Sequence, residues 1–180
     1  LTLEGPITDN MSFMISGRRM YLDAIFGLAY LTGIMNKKQY DETPTYYFYD
    51  LNAKFSYKLN PNNNLYLSSY FGRDVFSLNK SFTNIYGNST LNIRWNHLFS
   101  DKLFSNLSLI YSDYYYGLDL DFVGFKWDSG IKNYNIKYDF KNYISDNFKL
   151  NFGANAIYYD FNPGTIKPSD ENSGINFDQL

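Results

Sequence analysis

Cysteine is absent from these 180 residues, histidine occurs once and tryptophan twice. Without thiols there is no disulfide framework and no cysteine-type zinc site. A Ser/His/Asp triad or a histidine-rich metal site has a single imidazole to work with, His97. Charge is sparse and nearly balanced, 16 Lys+Arg against 18 Asp+Glu, so a nucleic-acid partner held by a basic surface is disfavoured. Long hydrophobic runs are missing as well. The longest weakly charged stretch, Leu22 to Met35, is interrupted by Asp23, Gly27 and Gly33. It falls short of the roughly 20 residues that a membrane-crossing helix needs. There is no glycine-rich phosphate loop. No signal-peptide pattern opens the chain at Leu1, and a Pro/Gly/Ser-rich stretch leads into its last residues, Asp178-Gln179-Leu180. The expectation from both ends is a segment of a longer protein.

What the chain has in excess is aromatic rings: 19 Tyr and 16 Phe bring the aromatic fraction to 21%. That composition opposes disorder. Yet the mean hydropathy is −0.40, polar for so many large rings. The sequence must place rings beside polar residues without mixing them, and a period of two does this. From Leu51 to Asn60, Leu51, Ala53, Phe55, Tyr57 and Leu59 alternate with Asn52, Lys54, Ser56, Lys58 and Asn60. One strand face is apolar and the other polar. Tyr134 to Tyr143 repeats the alternation with opposite parity, and Phe152 to Tyr158 and Leu91 to Phe99 follow it. Eight antiparallel strands are predicted, near Leu1, Met11, Tyr46, Leu65, Asn88, Leu103, Phe125 and Lys149.

Turn residues divide these strands into hairpins. Short turn signals fall at Pro6 to Asn10, Pro61 to Asn64, Ser100 to Lys102 and Ser145 to Asn147. Longer connections are expected at Tyr21 to Thr45, Ser77 to Tyr86, Gly117 to Val123 and from Phe161 onward. All short turns then lie at one end of the sheet. This asymmetry, with strands of about 12 to 15 residues, predicts a transmembrane antiparallel β-barrel rather than a soluble sandwich. Aromatics are expected in two girdles, Phe99, Phe104, Tyr143 and Phe148 near the short turns, and Tyr46 to Tyr49, Tyr114 to Tyr116 and Tyr158 to Phe161 toward the long loops. A charge facing lipid at mid-depth costs about 2–4 kcal/mol. Lys54, Lys58, Arg94, Lys137 and Lys141 are therefore expected to face a lumen.

Several stretches, read in order, carry a family resemblance. They are Glu4-Gly5-Pro6-Ile7, Ser12 to Asp23 with its Ser16-Gly17-Arg18-Arg19, Tyr46 to Lys54, Tyr70-Phe71-Gly72-Arg73-Asp74, and Leu91 to Phe99. The set resembles the barrel region of TonB-dependent outer-membrane receptors of Bacteroidota, the subgroup with a carboxypeptidase-regulatory-like extension. The resemblance spans nearly the whole chain. It implies a 22-stranded barrel, with residues 1–180 forming about its first third and the plug and C-terminal strands lying elsewhere. It also implies a place in the bacterial outer membrane, contact with TonB through the plug, a surface lipoprotein partner, and import of a nutrient such as a siderophore, oligosaccharide or peptide. Two further readings stand beside it. One is a small outer-membrane barrel serving as anchor or adhesin; the other is a soluble carbohydrate-binding β-sandwich.

Neither an enzyme, nor a cofactor, nor a metal site is expected. His97 lies near a short turn on the parity of Ile93 and Trp95, which suits an interfacial structural role. Asp119 and Asp121 are paired carboxylates that suit either Ca²⁺ or, more simply, a solvated loop. The Asn-x-Ser/Thr matches at Asn10, Asn79, Asn88 and Asn106 are expected to be chance. Arg18 shares parity with Ser12 and Ser16, so it joins Lys54, Lys58, Arg94 and Lys137 as a lumen-facing candidate, where a guanidinium pairs with a carboxylate. Leu28, Leu31 and Met35 have helix-like spacing, so a short helix or a compact plug-like fold is expected within Tyr21 to Met35. Tyr47, Tyr49, Tyr114, Tyr115 and Tyr158 are candidates for the girdle or for ligand stacking.

Overall fold

The computed structural model describes residues 1–78 and 81–168. Asn79 and the chain end at Asp178 to Leu180 lie outside the described residues. Strands β1 (Thr2–Thr8) and β2 (Met11–Arg19) come first, followed by helices α1 (Leu22–Leu31) and α2 (Lys37–Glu42). Strands β3 (Thr45–Asn60), β4 (Asn63–Leu78), β5 (Phe82–Ser100) and β6 (Leu103–Leu120) follow. After a single 3-10 turn, Asp121–Val123, come β7 (Phe125–Ser145) and β8 (Phe148–Pro168). All eight form one antiparallel sheet in sequence order. A sandwich would divide them between two stacked sheets, so that expectation is set aside. The sheet does not close on itself among the described residues; β1 and β8 are its two edges.

The four expected tight turns are where the sequence puts them. Each tip is two residues long: Asp9-Asn10, Pro61-Asn62, Asp101-Lys102 and Asp146-Asn147. Side chains close them, as where Asn60 Oδ1 accepts from the Asn62 amide at 3.0 Å. At the other end the expectation needs correction. The connection from β2 to β3 is long and contains both helices. Ser77 to Tyr86 and Gly117 to Val123, expected as long loops, are mostly strand, and β8 runs through Phe161 to Pro168. Small polar residues there look loop-like in isolation, but a facing strand supplies their ladder partners. Ser77 and Thr83, for example, pair on adjacent strands with hydroxyls 2.9 Å apart. Pro163 and Gly164 are absorbed in a bulge, because Gly130 pairs with Asn162 and Asp128 with Thr165. Strand length accordingly reaches 21 residues in β7 and β8.

The hairpins are staggered by a constant amount. Met11 pairs with Tyr57, three positions before Asn60 at the next tip. Asn63 pairs with His97, three before Ser100, and Leu103 with Asn142, three before Ser145. A steady stagger with tilted strands is the geometric condition for rolling a sheet into a barrel.

Paired residues in an antiparallel ladder point to the same side, so the registers assign every side chain to a face. One face is apolar: the rows Ile15–Ala53–Ser69–Leu91–Tyr111–Tyr134–Tyr158 and Phe55–Leu67–Ile93–Leu109–Ile136–Ala156 cross it. Many of its side chains, among them Leu51, Ile93, Ile136 and Phe152, are exposed. On β3 this face carries Tyr57 and Tyr47, ten positions apart, and on β8 the same parity carries Phe148 and Tyr158, again ten apart. At about 3.4 Å per residue and a tilt near 45°, ten positions span about 24 Å along a barrel axis. The rims also slip across the sheet. The ladder row of Tyr47 reaches β8 at Thr165, seven positions beyond Tyr158, and that of Tyr57 reaches Ala154, six beyond Phe148. Both slip toward the short turns, as level rims on tilted strands must.

At Gly130 two strands approach closely: a Cβ there would lie 2.8 Å from the Tyr114 carbonyl oxygen. Backbone cannot yield as a side-chain tip can. Gly130→Ala in the intact protein is expected to cost about 1–3 kcal/mol, seen as a lowered midpoint of urea unfolding.

Candidate functional site: the polar face of the sheet

The second face is the more polar one, although Arg73, Asp113, Lys132 and Asp160 lie on the first, and its polar residues are not evenly spread. Toward the short turns it is cationic. Lys54 and Lys58 come from β3, Arg94 from β5, and Lys137 and Lys141 from β7. The described acids at that level are Glu4 on β1 and Asp139, which is 3.1 Å from Lys137 Nζ. A hollow of about 730 Å³ opens here, lined by Glu4, Ser12, Lys54, Ser56, Tyr66 and Arg94 among others. The Ser12 and Ser56 hydroxyls close its floor 2.5 Å apart.

Asparagines are interleaved with these cations and continue above them. Asn64, Asn96 and Asn106 share one ladder row, and Asn92 and Asn135 share the next but one. The Oδ1 atoms of Asn88, Asn92, Asn96 and Asn135 are buried and accept no hydrogen bond from the described residues. A buried acceptor without a donor costs about 1–3 kcal/mol. Of the four, Asn92 lines the hollow.

Toward the other end the same face becomes aromatic and acidic. Arg18 Nε donates to Asp50 Oδ2 at 2.5 Å, and the guanidinium lies 5.4 Å from the Phe48 ring centre. Asp74 pairs with Phe48 on one side and with Tyr86 on the other. Tyr46 and Phe76 meet edge-on at 6.4 Å, as do Tyr116 and Trp127 at 5.7 Å, and Asn84 Nδ2 donates to the Tyr116 hydroxyl at 2.8 Å.

The five cations singled out in the sequence, Arg18, Lys54, Lys58, Arg94 and Lys137, thus share one face. Arg18 sits apart from the other four, tied to a carboxylate. The tyrosines divide. Tyr47, Tyr49, Tyr115 and Tyr158 lie on the apolar face, and Tyr114 lies on the polar one. Tyr46, Phe48 and Tyr116 also point to the polar face, as does Phe104, which meets Tyr143 at 5.8 Å with Lys141 over its ring. The expected girdles included these residues, and the correction is physical: in a run of consecutive rings, alternation sends neighbours to opposite faces. Asp50, Asp74 and Trp127 were not singled out, although Asp50 has the parity of Asn52 and Lys54.

His97 is a structural residue of the apolar face. Its Nδ1 is 2.7 Å from Asn63 Oδ1, which also accepts from Trp95 Nε1 at 3.0 Å. An amide oxygen only accepts, so Nδ1 carries a hydrogen. The ring meets Phe99 edge-on at 4.3 Å. Asp119 pairs with Lys126 at 3.2 Å, and Asp121 begins the 3-10 turn. Among the described residues no three His, Cys, Asp or Glu side chains gather as metal ligands.

Neither a comparison with known protein families nor one with curated proteins gives a match. Among solved structures, the chain is similar to the siderophore receptor PirA from Pseudomonas aeruginosa, with a TM-score of 0.62 at 17% sequence identity. The similarity covers 92% of this chain and 27% of that receptor, so the chain spans about a quarter of the receptor's length. At this identity the likeness is one of fold: the sheet is a segment of a β-barrel.

Asn63 anchors two aromatic donors at once. Asn63→Ala is expected to lower stability by about 1 kcal/mol or more, whereas Asn63→Asp keeps the acceptor and loses less. The urea midpoints of the two variants of the intact protein check this.

Proposed function

We propose that the chain is a wall segment of a TonB-dependent transporter that imports a nutrient across the bacterial outer membrane. The carrying observation is the division of the faces: an apolar belt between two aromatic rims on one side, a polar hollow on the other. The belt's height of about 24 Å fits the roughly 25 Å apolar band of an outer-membrane barrel. Lipid offers no hydrogen bonds, so strand edges cannot remain open within it. On this reading the outer edges of β1 and β8 pair with further strands of the same protein, which the family resemblance puts at 22 in all. The cations and unpartnered asparagine oxygens then face the plug domain rather than water alone. They would take up its carboxylates and its donors. The aromatic and acidic end of the face lines the outer vestibule where the nutrient arrives. The short turns are periplasmic, and the connection holding α1 and α2 is extracellular.

The resemblance to receptors of Bacteroidota adds a surface lipoprotein as partner. The PirA likeness makes a siderophore one candidate cargo, beside oligosaccharides and peptides. No catalytic step is assigned to this chain, and TonB is reached through the plug.

Two adjacent positions on β5 test the membrane assignment. Ile93→Cys in the intact protein should react with a lipid-soluble thiol reagent and resist a charged one, while Asn92→Cys should show the reverse preference. Equal reaction of both with the charged reagent would remove the lipid belt. For transport, deletion of the gene should abolish uptake of at least one class among iron chelates, oligosaccharides and peptides. Undiminished uptake of all three would sink the importer.

A further inference from the structure

α1 is almost wholly apolar. Its sequence, Leu-Asp-Ala-Ile-Phe-Gly-Leu-Ala-Tyr-Leu, holds one charged residue, Asp23. Leu22 and Phe26 are partly covered. The opposite side presents Ile25, Leu28 and Leu31 at intervals of three, prolonged by Ile34 beyond the helix end, with exposures of 59%, 62%, 81% and 82%. Tyr21, 62% exposed, begins the same ridge. Nothing among the described residues covers it.

The root of the helix says what lies beside the ridge. Arg19 is on the apolar face of the sheet, since it pairs with Tyr49 in the ladder. It holds the Asp23 carboxylate, and its guanidinium lies 5.7 Å from the Tyr47 ring centre and 6.0 Å from that of Tyr21. Tyr47 and Tyr49 form the upper rim of the belt on β3. α1 therefore starts at that rim, on the lipid side of the wall, with its one charge neutralised. The other end turns back to water. Asn36 caps α2, whose Lys37, Lys38, Gln39, Asp41 and Glu42 are exposed. Tyr30 stacks on Tyr40 at 4.9 Å and fixes the two helices together.

We infer that α1 is an interfacial helix: its ridge of Ile25, Leu28, Leu31 and Ile34 lies in the outer-leaflet lipid beside the barrel and tethers the first extracellular connection to the membrane surface. An apolar helix at an aromatic rim, followed by a charged helix, suits a lipid–water boundary, where buried apolar area drives binding. The inference rests on the membrane assignment of the sheet, continues its apolar belt by one helix, and names lipid as the occupant.

The test uses the intact protein reconstituted in phospholipid vesicles, with single Cys variants carrying a nitroxide label at Leu28, Leu31, Lys38 and Ile136. Collision rates with oxygen and with a water-soluble nickel chelate are compared. Leu28 and Leu31 should favour oxygen over nickel by several-fold relative to Lys38, at a shallower depth than Ile136. If Ile136 lies in lipid while Leu28 and Leu31 meet nickel as freely as Lys38, the helix is in water and the inference fails, with the membrane assignment intact. Labels at Leu28 and Leu31 immobilised and shielded from both agents would mean a protein partner covers the ridge, which also overturns it. Nickel access at Ile136 itself removes the membrane assignment, and the inference with it.

Discussion

The main-chain ladder is what this structure depends on. Val75 is the one buried hydrophobic side chain among the described residues. A sheet with no core of its own is held by its hydrogen bonds and by side-chain contacts between neighbouring strands on each face. Its ladder is nearly continuous, from β1 to β8, with bulges at the tips and at Asp128/Gly130. Because the side-chain period is two, the register that satisfies the backbone also decides which residues stand on which face. A slip by one residue would turn Lys54 and Arg94 into the belt and Phe55 and Ile93 out of it. Backbone pairing and face separation are thus one constraint. The constant three-residue stagger gives it a curvature.

Much of this was legible in the sequence because period-two alternation is a local signal. Leu51 to Asn60 announces its two faces without reference to any other strand, and Asp, Asn and Pro at the tips announce the reversals. The shared face of Arg18, Lys54, Lys58, Arg94 and Lys137 followed from parity alone. What failed to be legible is what depends on a partner. Ser77, Thr83, Gly117 and Asp119 look like loop residues until a neighbouring strand pairs with them. Tyr46 to Tyr49 and Tyr114 to Tyr116 have no alternation to read, since every position is a ring or a close substitute. Only the ladder separates Tyr115 from Tyr114 and Tyr116. The helix in the first long connection was legible from the spacing of Leu28 and Leu31. Its attachment through Arg19 was not, because it requires knowing that Arg19 faces the same way as Tyr47.

Arg18 and Arg19 show how one step of alternation distributes function. They are neighbours with the same side chain, and they serve opposite sides of the wall. Arg18 turns to the polar face and meets Asp50; Arg19 turns to the apolar face and meets Asp23 and two tyrosines. A guanidinium suits both, because it pairs with a carboxylate and lies against a ring at the same time. Exchange for lysine would keep the charge in each place and lose the planar fork.

The unequal polar face carries the last step. Most of its cations lie toward the short turns, Lys54, Lys58, Arg94, Lys137 and Lys141, with Glu4 and Asp139 among them, while Asp50 and Asp74 lie toward the other end beside Arg18. Among the described residues of this face Lys137–Asp139 and Arg18–Asp50 are ion pairs, while Asp119–Lys126 and Asp128–Lys167 pair across strands on the other side. A sheet selected only for its own stability gains by mixing opposite charges across strands, where each such pair is worth a few tenths of a kcal/mol or more. Concentrating the cations at one end forgoes part of that gain. On the transport reading proposed above, the complementary charges belong to another body, a surface inside the barrel at the cationic end and a cargo at the aromatic and acidic end. Of the buried asparagine oxygens, those of Asn92 and Asn135 lie in the row of Lys54, that of Asn96 in the row of Lys58 and that of Asn88 in the row of Asp50. On that reading the wall is completed by what it encloses, and the cations in excess at its short-turn end are where that body bears on it.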